Sequence, residues 1–230
     1  MEPYRVLEIK EGIFDDNNRR AEELRQKLKA EKTFLLNLMS SPGSGKTTTL
    51  LRTIERLKDK LRIGVMEADI DSTVDAETIS RTGVKTIQLH TGGMCHLDAE
   101  MTRQGLEGLG TRDIDLAILE NVGNLVCPAE FSLGEDFKAM ILSVAEGDDK
   151  PLKYPLMFQE SKVLLINKMD LLPFCDCNPE LIEERALKIN PDLSLFRVSC
   201  RTGEGLDRWS DWLRRQIFQL RQSYKKSPSA

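Results

Sequence analysis

Short apolar runs alternate with amphipathic segments along most of the chain. The run TFLLNLMS at 33–40 is nearly continuous in apolar residues, as expected of a strand buried on both faces of a sheet. Further strands are predicted at 62–68, 84–90, 114–122, 137–147, 161–168 and 193–200. Helices are predicted at 46–60, 73–82, 97–109, 179–189 and 204–222. This alternation predicts an α/β fold of three layers, with a mostly parallel sheet flanked by helices on both faces.

The segment before this alternation has a different pattern. Residues 14–31 carry acidic residues early and basic residues late, and Leu24 and Leu28 share one face, which predicts an amphipathic helix. Its apolar stripe is narrow, so we expect it on the outside of the main body. The predicted organisation is a helical extension at 1–32, a main domain at 33–222 and a disordered tail at 223–230.

Composition narrows the class of protein. The 230 residues are 40% hydrophobic and 30% charged with a net charge of −4, which argues against a nucleic-acid surface. The N-terminus does not resemble a signal peptide, and no apolar run approaches the roughly 18 residues of a membrane span. We therefore expect a cytoplasmic protein with no membrane partner. Its five cysteines are expected to be thiols.

The segment SSPGSGKTTTL at 40–50 joins the first predicted strand to a helix. It fits the phosphate-loop pattern G-x-x-x-x-G-K-S/T except that Ser40 replaces the first glycine. Glycines let backbone N–H groups turn toward phosphate at a helix N-terminus, which predicts a P-loop NTPase fold rather than a turn without ligand. Lys46 is expected at the β and γ phosphates and Thr47 at Mg²⁺. The nucleotide-binding residues predicted here are Ser41, Gly43, Ser44, Gly45, Lys46, Thr47 and Thr48.

Two later motifs favour guanine over adenine. INKMD at 166–170 ends a buried strand and resembles the N-K-x-D motif of GTPases. Asp170 is expected to accept two N–H bonds from guanine, Asn167 to fix the loop, and the stem of Lys168 to cover the ring. SCRTGEG at 199–205 resembles the last GTPase motif, in which Ser199 and the backbone at Cys200 support the base. The Cys200 thiol itself is assigned to packing.

Acidic positions complete the predicted GTPase site. Asp69 or Asp71 is expected to reach Mg²⁺, whereas Asp75 is expected to cap the next helix. Glu120 and Gly123 stand where GTPases carry D-x-x-G, so Glu120 is predicted to orient Mg²⁺ or water and Gly123 to contact the γ-phosphate. Lys46, Thr47, Glu120 and Gly123 are the predicted catalytic residues. No glutamine follows Gly123 at the usual position, so we expect slow hydrolysis until a partner or dimerisation completes the site.

Three further residues form a predicted metal site. Cys95 and His96 follow the third strand, and Cys127 lies four residues beyond Gly123. Loops after parallel strands gather at one sheet edge, so these residues can approach each other beside the nucleotide. Thiolate and imidazole suit Zn²⁺ or Ni²⁺. A buried cysteine beside a loop histidine remains an equal alternative, and a Cys-His nucleophile is less favoured. The C-x-C at 175–177 is a weaker metal site because it lacks histidine.

Several segments together resemble the HypB family of GTPases, which assist nickel insertion into nickel–iron hydrogenase. They are NLMSSPGSGKT, MEADIDSTVDAETI, LHTGGMCHLDAEM, LENVGNLVCPAEFSLGE and NKMDLLP, and the resemblance extends over about 33–215. It implies a homodimer favoured by GTP, a metal site at Cys95, His96 and Cys127 near the dimer interface, and a HypA-like partner that passes nickel toward the hydrogenase large subunit. The N-terminal C-x-x-C-G-C motif and His-rich tract of some members are missing, so only the domain site is expected.

Alternatives from other classes stay open at this point. The urease-type accessory GTPase is expected to carry Cys-Pro-His, whereas here Cys127-Pro128 is followed by Ala129. The other two alternatives are a non-catalytic metal-binding module gated by GTP and a small regulatory GTPase with incidental thiols. DDKPLKYP at 148–155 is predicted to be flexible and charged, with Lys150 and Lys153 either solvated or reaching across a dimer to the partner nucleotide.

Overall fold

Seven parallel strands form the centre of the computed structural model, which describes residues 9–69 and 74–226 and the side chains of 14–68 and 75–223. The strands are β1 (Phe34–Ser40), β2 (Ile63–Asp69), β3 (Lys85–His90), β4 (Leu116–Glu120), β5 (Phe137–Ser143), β6 (Val163–Asn167) and β7 (Ser194–Arg197). All seven lie where the apolar runs predict them. Their order in the sheet is β3-β2-β4-β1-β5-β6-β7.

The strand order fixes where a ligand can bind. β1 is buried along its whole length between β4 and β5. The chain passes from β1 to one side of the sheet for β2 and to the other side for β5 to β7. In open parallel sheets the crevice beyond the carboxyl end of such a strand is the ligand site. The segment after β1 is the predicted phosphate loop.

Helices cover both faces of the sheet, which confirms the predicted three layers. They are α1 (Ile9–Glu31), α2 (Lys46–Leu57), α3 (Val74–Ser80), α4 (Ala99–Leu109), α5 (Cys127–Glu130), α6 (Lys150–Lys153), α7 (Pro155–Glu160), α8 (Pro179–Ile189) and α9 (Leu206–Lys226). Leu36 and Leu38 of β1 pack with α2 and α9 on one face. Leu35 packs with α1 and α4 on the other face, where Met39 packs with α7 and α8. No helix within 9–69 and 74–226 is long and apolar enough to cross a membrane.

The N-terminal helix lies on the outside, as its narrow apolar stripe predicts. Ala21, Leu24 and Leu28 of α1 are buried, while Arg19 and Glu23 on the opposite face are exposed. α1 begins five residues before the predicted start. Residues 1–8 of the predicted extension lie outside the described part of the chain.

Two segments differ from the prediction. The stretch 148–155, predicted to be flexible, forms α6 and the start of α7. Proline lies in the first turn of both short helices, as the second residue of α6 and the first of α7. Buried Met157 and Phe158 anchor α7 to the core, which the local charge did not indicate. α9 continues to Lys226, four residues past its predicted end, so 223–226 are helical rather than part of a disordered tail. The remainder of that tail, 227–230, lies outside the described residues.

Candidate functional site

The phosphate loop runs along a cavity of about 610 Å³ at the carboxyl edge of the sheet. Gly43 and Gly45 have φ of 76° and 96°, a left-handed conformation that favours glycine. A Cβ at Gly45 would lie 2.5 Å from Asn167 Nδ2, so the close approach also requires glycine. No side chain caps the start of α2, which leaves its first backbone N–H groups available to an anion. Thr48 also lines this cavity.

The predicted catalytic residues meet at the floor of the cavity. Thr47 Oγ1 donates to Glu120 Oε1 at 2.6 Å, and Lys46 Nζ lies 3.8 Å from the same oxygen. Glu120 is 2% exposed, so its charge faces these groups rather than bulk water. Gly123 lies against the phosphate loop, because a Cβ there would come within 3.1 Å of Pro42 Cγ. The loop after β4 therefore touches the loop after β1.

A second buried carboxylate, from Glu67, was missed by sequence reasoning. Glu67 in β2 is the register partner of Glu120 in β4, is 2% exposed and lines the same cavity. The available signal was an acid in the interior of the mostly apolar strand IGVMEAD, two residues before Asp69 at its end. Asp69 ends β2, but its side chain is not described, and Asp71 lies outside the described residues. Asp75 lies in the first turn of α3 and lines the cavity.

The base motif contacts the phosphate loop directly. Asn167 Nδ2 donates to the Ser44 carbonyl at 3.0 Å, and Lys168 Nζ donates to the Gly43 carbonyl at 2.5 Å. Lys168 has φ of 60°, a conformation that non-glycine residues adopt rarely and often at functional sites. The structure thus joins the phosphate loop and the base motif, which are far apart in sequence, into one continuous surface.

The last predicted motif, at 199–205, contacts the base motif. Ser199 Oγ donates to Asp170 Oδ1 at 2.6 Å, which orients the carboxylate expected to bind guanine. Cys200 is 5% exposed with Sγ 3.3 Å from Thr49 Oγ1, and burial raises the pKa of its thiol. The thiol is therefore a packing group, as expected from its sequence position.

Glu146, three residues after the end of β5, also was not predicted. Ser41 Oγ donates to the Glu146 carboxylate, which additionally accepts the Ser143 N–H at 2.8 Å. Ser44 Oγ donates to the Ser41 carbonyl at 3.0 Å. The bond between Ser44 and Ser41 thus stabilises the phosphate loop internally, and the bond from Ser41 to Glu146 holds the loop to the segment after β5.

Cys95, His96 and Cys127 come together at the same sheet edge. Cys95 Sγ lies 3.2 Å from Cys127 Sγ and 3.8 Å from His96 Nδ1, and one ligand atom from each residue lies within 4.8 Å of the others. Cys95 and His96 belong to the loop between β3 and α4, while Cys127 begins α5. Among the described side chains this is the only group of three or more His, Cys, Asp or Glu residues close enough to hold one ion.

The environment of the cluster sets its protonation. The hydrogen bond with Cys95, together with burial, raises the pKa of the Cys127 thiol. Burial lowers the pKa of His96 against the opposing charges of Asp98 and Glu130, which favours the neutral imidazole that binds metals. The His96 ring stacks on Phe131 with centroids 4.1 Å apart.

Neighbouring side chains hold the two metal-site segments together. Asn124 Nδ2 donates to the Cys95 carbonyl at 3.3 Å, which links the loop after β4 to the loop after β3. Asp98 accepts the Met101 N–H at 2.8 Å and caps α4 rather than joining the cluster. Cys175 and Cys177 pack against the core beside α7 and α8, away from any third ligand in the described chain.

The fold and these two sites define a class, a P-loop GTPase that carries a separate cluster of two thiols and an imidazole. Residues 34–197 match the family described as CobW/HypB/UreG, nucleotide-binding domain. The hydrogenase maturation factor HypB of Escherichia coli K12 is 46% identical over 216 residues, which span 94% of this chain and 74% of that protein. The chain therefore belongs to the HypB family within the CobW/HypB/UreG group.

Solved structures agree with this assignment. The crystal structure of HypB from Archaeoglobus fulgidus superposes with a TM-score of 0.83 at 38% identity, covering 88% of this chain and 99% of that one. HypB from Helicobacter pylori, crystallised in complex with nickel, has a TM-score of 0.83 at 35% identity and covers 94% of this chain and 99% of its own.

Proposed function

We propose that this protein is a GTP-hydrolysing nickel metallochaperone that assists nickel insertion during maturation of nickel–iron hydrogenase. The observation that carries the proposal is the cluster of Cys95, His96 and Cys127. Cys127 lies only four residues after Gly123 of the nucleotide loop, so the two sites share one segment. Its relatives include hydrogenase maturation factors and a HypB crystallised with nickel. Membership of the HypB family favours this function over the urease-type alternative.

The nucleotide site suits GTP with Mg²⁺. Asp170, oriented by Ser199, offers a carboxylate to the guanine N–H groups. The Thr47 hydroxyl and the Glu120 carboxylate are oxygen ligands of the kind that Mg²⁺ prefers, and Glu67, Asp69 and Asp71 are the acids available to complete the set. Bound Mg²⁺ would neutralise charge on the phosphates. Lys46 adds a second positive charge, so positioning and charge neutralisation carry the reaction.

Nickel is the cargo of the second site. Two thiolates and one imidazole form a borderline-soft donor set that suits Ni²⁺ and also Zn²⁺, which we propose as an occupant of the isolated protein. Cys95 is exposed, so a donor or acceptor of metal can reach the cluster from outside.

The GTP state is proposed to favour a homodimer in the cytoplasm, with a HypA-like nickel chaperone as the second partner and the hydrogenase large subunit as the indirect recipient. Dimerisation is expected to alter metal affinity. If GTP changes metal affinity through the dimer, bound metal must change GTP affinity by the same factor. Lys153 forms an ion pair with Asp149 within the described chain, so a role across the dimer would require it to leave that partner.

Two measurements test the function. Phosphate release should depend on GTP and Mg²⁺ and should fall by roughly 100-fold or more in Lys46→Ala, because the lysine neutralises phosphate charge. Ni²⁺ titration should show at least about 10-fold weaker binding in Cys95→Ala and Cys127→Ala than in a Cys175→Ala control. Unchanged phosphate release in Lys46→Ala would remove the enzymatic part of the proposal. Equal Ni²⁺ affinity in all three cysteine variants would remove the metallochaperone part.

A further inference from the structure

A buried row of polar side chains connects the nucleotide loop to the metal-site helix by a route other than the chain itself. Asn121 Nδ2 donates to Asn37 Oδ1 at 3.2 Å, and Asn37 Nδ2 donates to Glu135 Oε1 at 3.4 Å. The same oxygen lies 3.8 Å from Lys138 Nζ, which donates to the Ala129 carbonyl at 2.9 Å. We call Asn37, Asn121, Glu135 and Lys138 the polar relay.

Each end of the polar relay bonds a backbone group next to one of the two sites, the nucleotide site at one end and the metal site at the other. Asn121 Oδ1 accepts the Val122 N–H at 2.9 Å, directly before Gly123. Ala129 belongs to α5, whose first residue is Cys127. The relay therefore spans from the turn that touches the phosphate loop to the four-residue helix that carries a metal ligand.

The relay is unusual because of its depth. Asn37 and Asn121 are 0% exposed, Glu135 is 7% exposed and Lys138 is 9% exposed. Burying a carboxylate and an ammonium carries a large desolvation cost, so apolar residues of similar size in their place are often as stabilising or more so. Net stability is thus a poor explanation for these residues. Each relay side chain is instead held in a defined hydrogen-bond geometry, which is how buried polar groups specify one arrangement.

We propose that the polar relay positions α5, and with it Cys127, according to the nucleotide state of the loop after β4. Asn37 lies in β1, the central strand that leads into the phosphate loop, so it provides a fixed reference for Asn121. A shift of the Val122–Gly123 turn changes the Asn121 contact, and Lys138 passes the change to the Ala129 carbonyl. The four residues are positioning residues that act through Cys127. This inference rests on the proposed GTP and nickel sites.

The test compares Ni²⁺ binding in two nucleotide states. The Ni²⁺ dissociation constant is measured with Mg-GDP and with a non-hydrolysable Mg-GTP analogue, using the thiolate-to-nickel charge-transfer absorption. The relay variant is Glu135→Gln combined with Lys138→Met, which removes both buried charges together and avoids leaving one of them unpaired. Asn37→Ser is the second variant. Asp115→Asn is the matched control, since it removes a buried charge that also forms ion pairs but lies just before β4, at the opposite edge of the sheet.

In the wild type the two dissociation constants should differ by about 5-fold or more, the usual lower range of allosteric coupling. The Ni²⁺ dissociation constant of the relay variant in the GDP state should lie within about 3-fold of the wild-type value. The ratio of its dissociation constants in the two nucleotide states should fall below about 2-fold. Asp115→Asn should keep the wild-type ratio. A wild-type ratio in both folded relay variants would overturn the inference. A wild type that binds Ni²⁺ and hydrolyses GTP with a ratio near 1 would overturn it while leaving the proposed function intact.

Discussion

At the scale of single residues, the pairing of Glu67 with Glu120 shapes the chemistry of the nucleotide site. The two buried carboxylates sit at partnered positions of neighbouring strands, where like charges repel unless a cation lies near them. Lys46 approaches Glu120 at 3.8 Å, and Mg²⁺ would supply further positive charge on the cavity side. The edge of the sheet is therefore arranged for cations next to the phosphate loop.

Glu67→Gln should raise the Mg²⁺ concentration needed for half-maximal phosphate release. It should also lower the maximal rate by roughly 10-fold or more, since one buried carboxylate is lost from the cation site. Binding of a fluorescent GDP in EDTA should be unchanged or tighter, because a negative charge beside the phosphates has gone. The measurement is a Mg²⁺ titration of phosphate release. Asp75→Asn, at the margin of the same cavity, serves as the control, and an equal effect of both substitutions would contradict a special role for Glu67.

The residue scale also shows what sequence can reveal of a site. Lys46, Thr47, Asn167 and Asp170 belong to local motifs whose spacing indicates their chemistry. Glu67 lies in no such motif, because its proximity to Glu120 depends on which strands pair and in which register. Cys127 was found only because it follows Gly123 closely in sequence.

At the scale of secondary-structure elements, α1 contacts both segments of the proposed metal site. Asn17 is 6% exposed, and its side chain accepts the Ala99 N–H and donates to the Ser132 carbonyl, each at 2.9 Å. Ala99 begins α4 just after His96, and Ser132 follows α5. Phe14 adds a ring contact to Phe131, the residue on which His96 stacks. One helix thus holds both segments that contribute the three residues of the proposed metal site.

Asn17→Ala should weaken Ni²⁺ binding several-fold and lower the free energy of unfolding by about 1–3 kcal/mol. The reason is that a buried N–H and a buried carbonyl lose their partner. Affinity for GDP should stay within about 2-fold, since α1 does not line the nucleotide cavity. Urea unfolding and Ni²⁺ titration provide the measurements. Arg19→Ala, exposed on the opposite face of α1, is the control; a similar loss of Ni²⁺ affinity in both variants would argue against bracing.

The elements themselves were largely predictable, but their contacts were not. The apolar runs gave all seven strands, and the charge gradient with Leu24 and Leu28 gave α1. Nothing local indicated that Asn17 would bond two distant loops, because those contacts exist only after α1 docks. The charges of the stretch 148–155 predict flexibility, but Pro151 and Pro155 favour the first turns of the two short helices that form there.

At the scale of the whole molecule, an ionic cluster fastens the sheet edge opposite the functional sites. Asp115 accepts from the Arg62 backbone N–H at 3.0 Å and from its guanidinium at 2.9 Å, and it pairs with Arg221 of α9 at 2.7 Å. Arg62 immediately precedes β2, and Asp115 immediately precedes β4. The cluster therefore joins two central strands to the C-terminal helix, far from the catalytic edge.

This ionic cluster should make the free energy of unfolding depend on pH in the acidic range. Burial alone would raise the pKa of Asp115, but hydrogen bonds from Arg62 and the charge of Arg221 hold it below its ordinary value. A carboxyl whose pKa is lower in the folded state contributes stability above its unfolded pKa of about 3.9 and loses it as pH falls through the folded value. The contribution is thus fully present at neutral pH.

Asp115→Asn should consequently lower the free energy of unfolding by about 1–2 kcal/mol at pH 7, a figure reduced because Arg62 is half exposed. The difference from wild type should shrink as pH falls below about 4, because the Asp115 carboxyl of the unfolded chain then takes up a proton before that of the folded protein does. Urea unfolding across pH 3 to 7 measures both parts. Asp113→Asn is the control, because that carboxylate also faces Arg62, at 3.5 Å, but is 81% exposed and is screened by water. A pH-independent loss in Asp115→Asn would mean that packing, rather than charge, fastens this edge of the sheet.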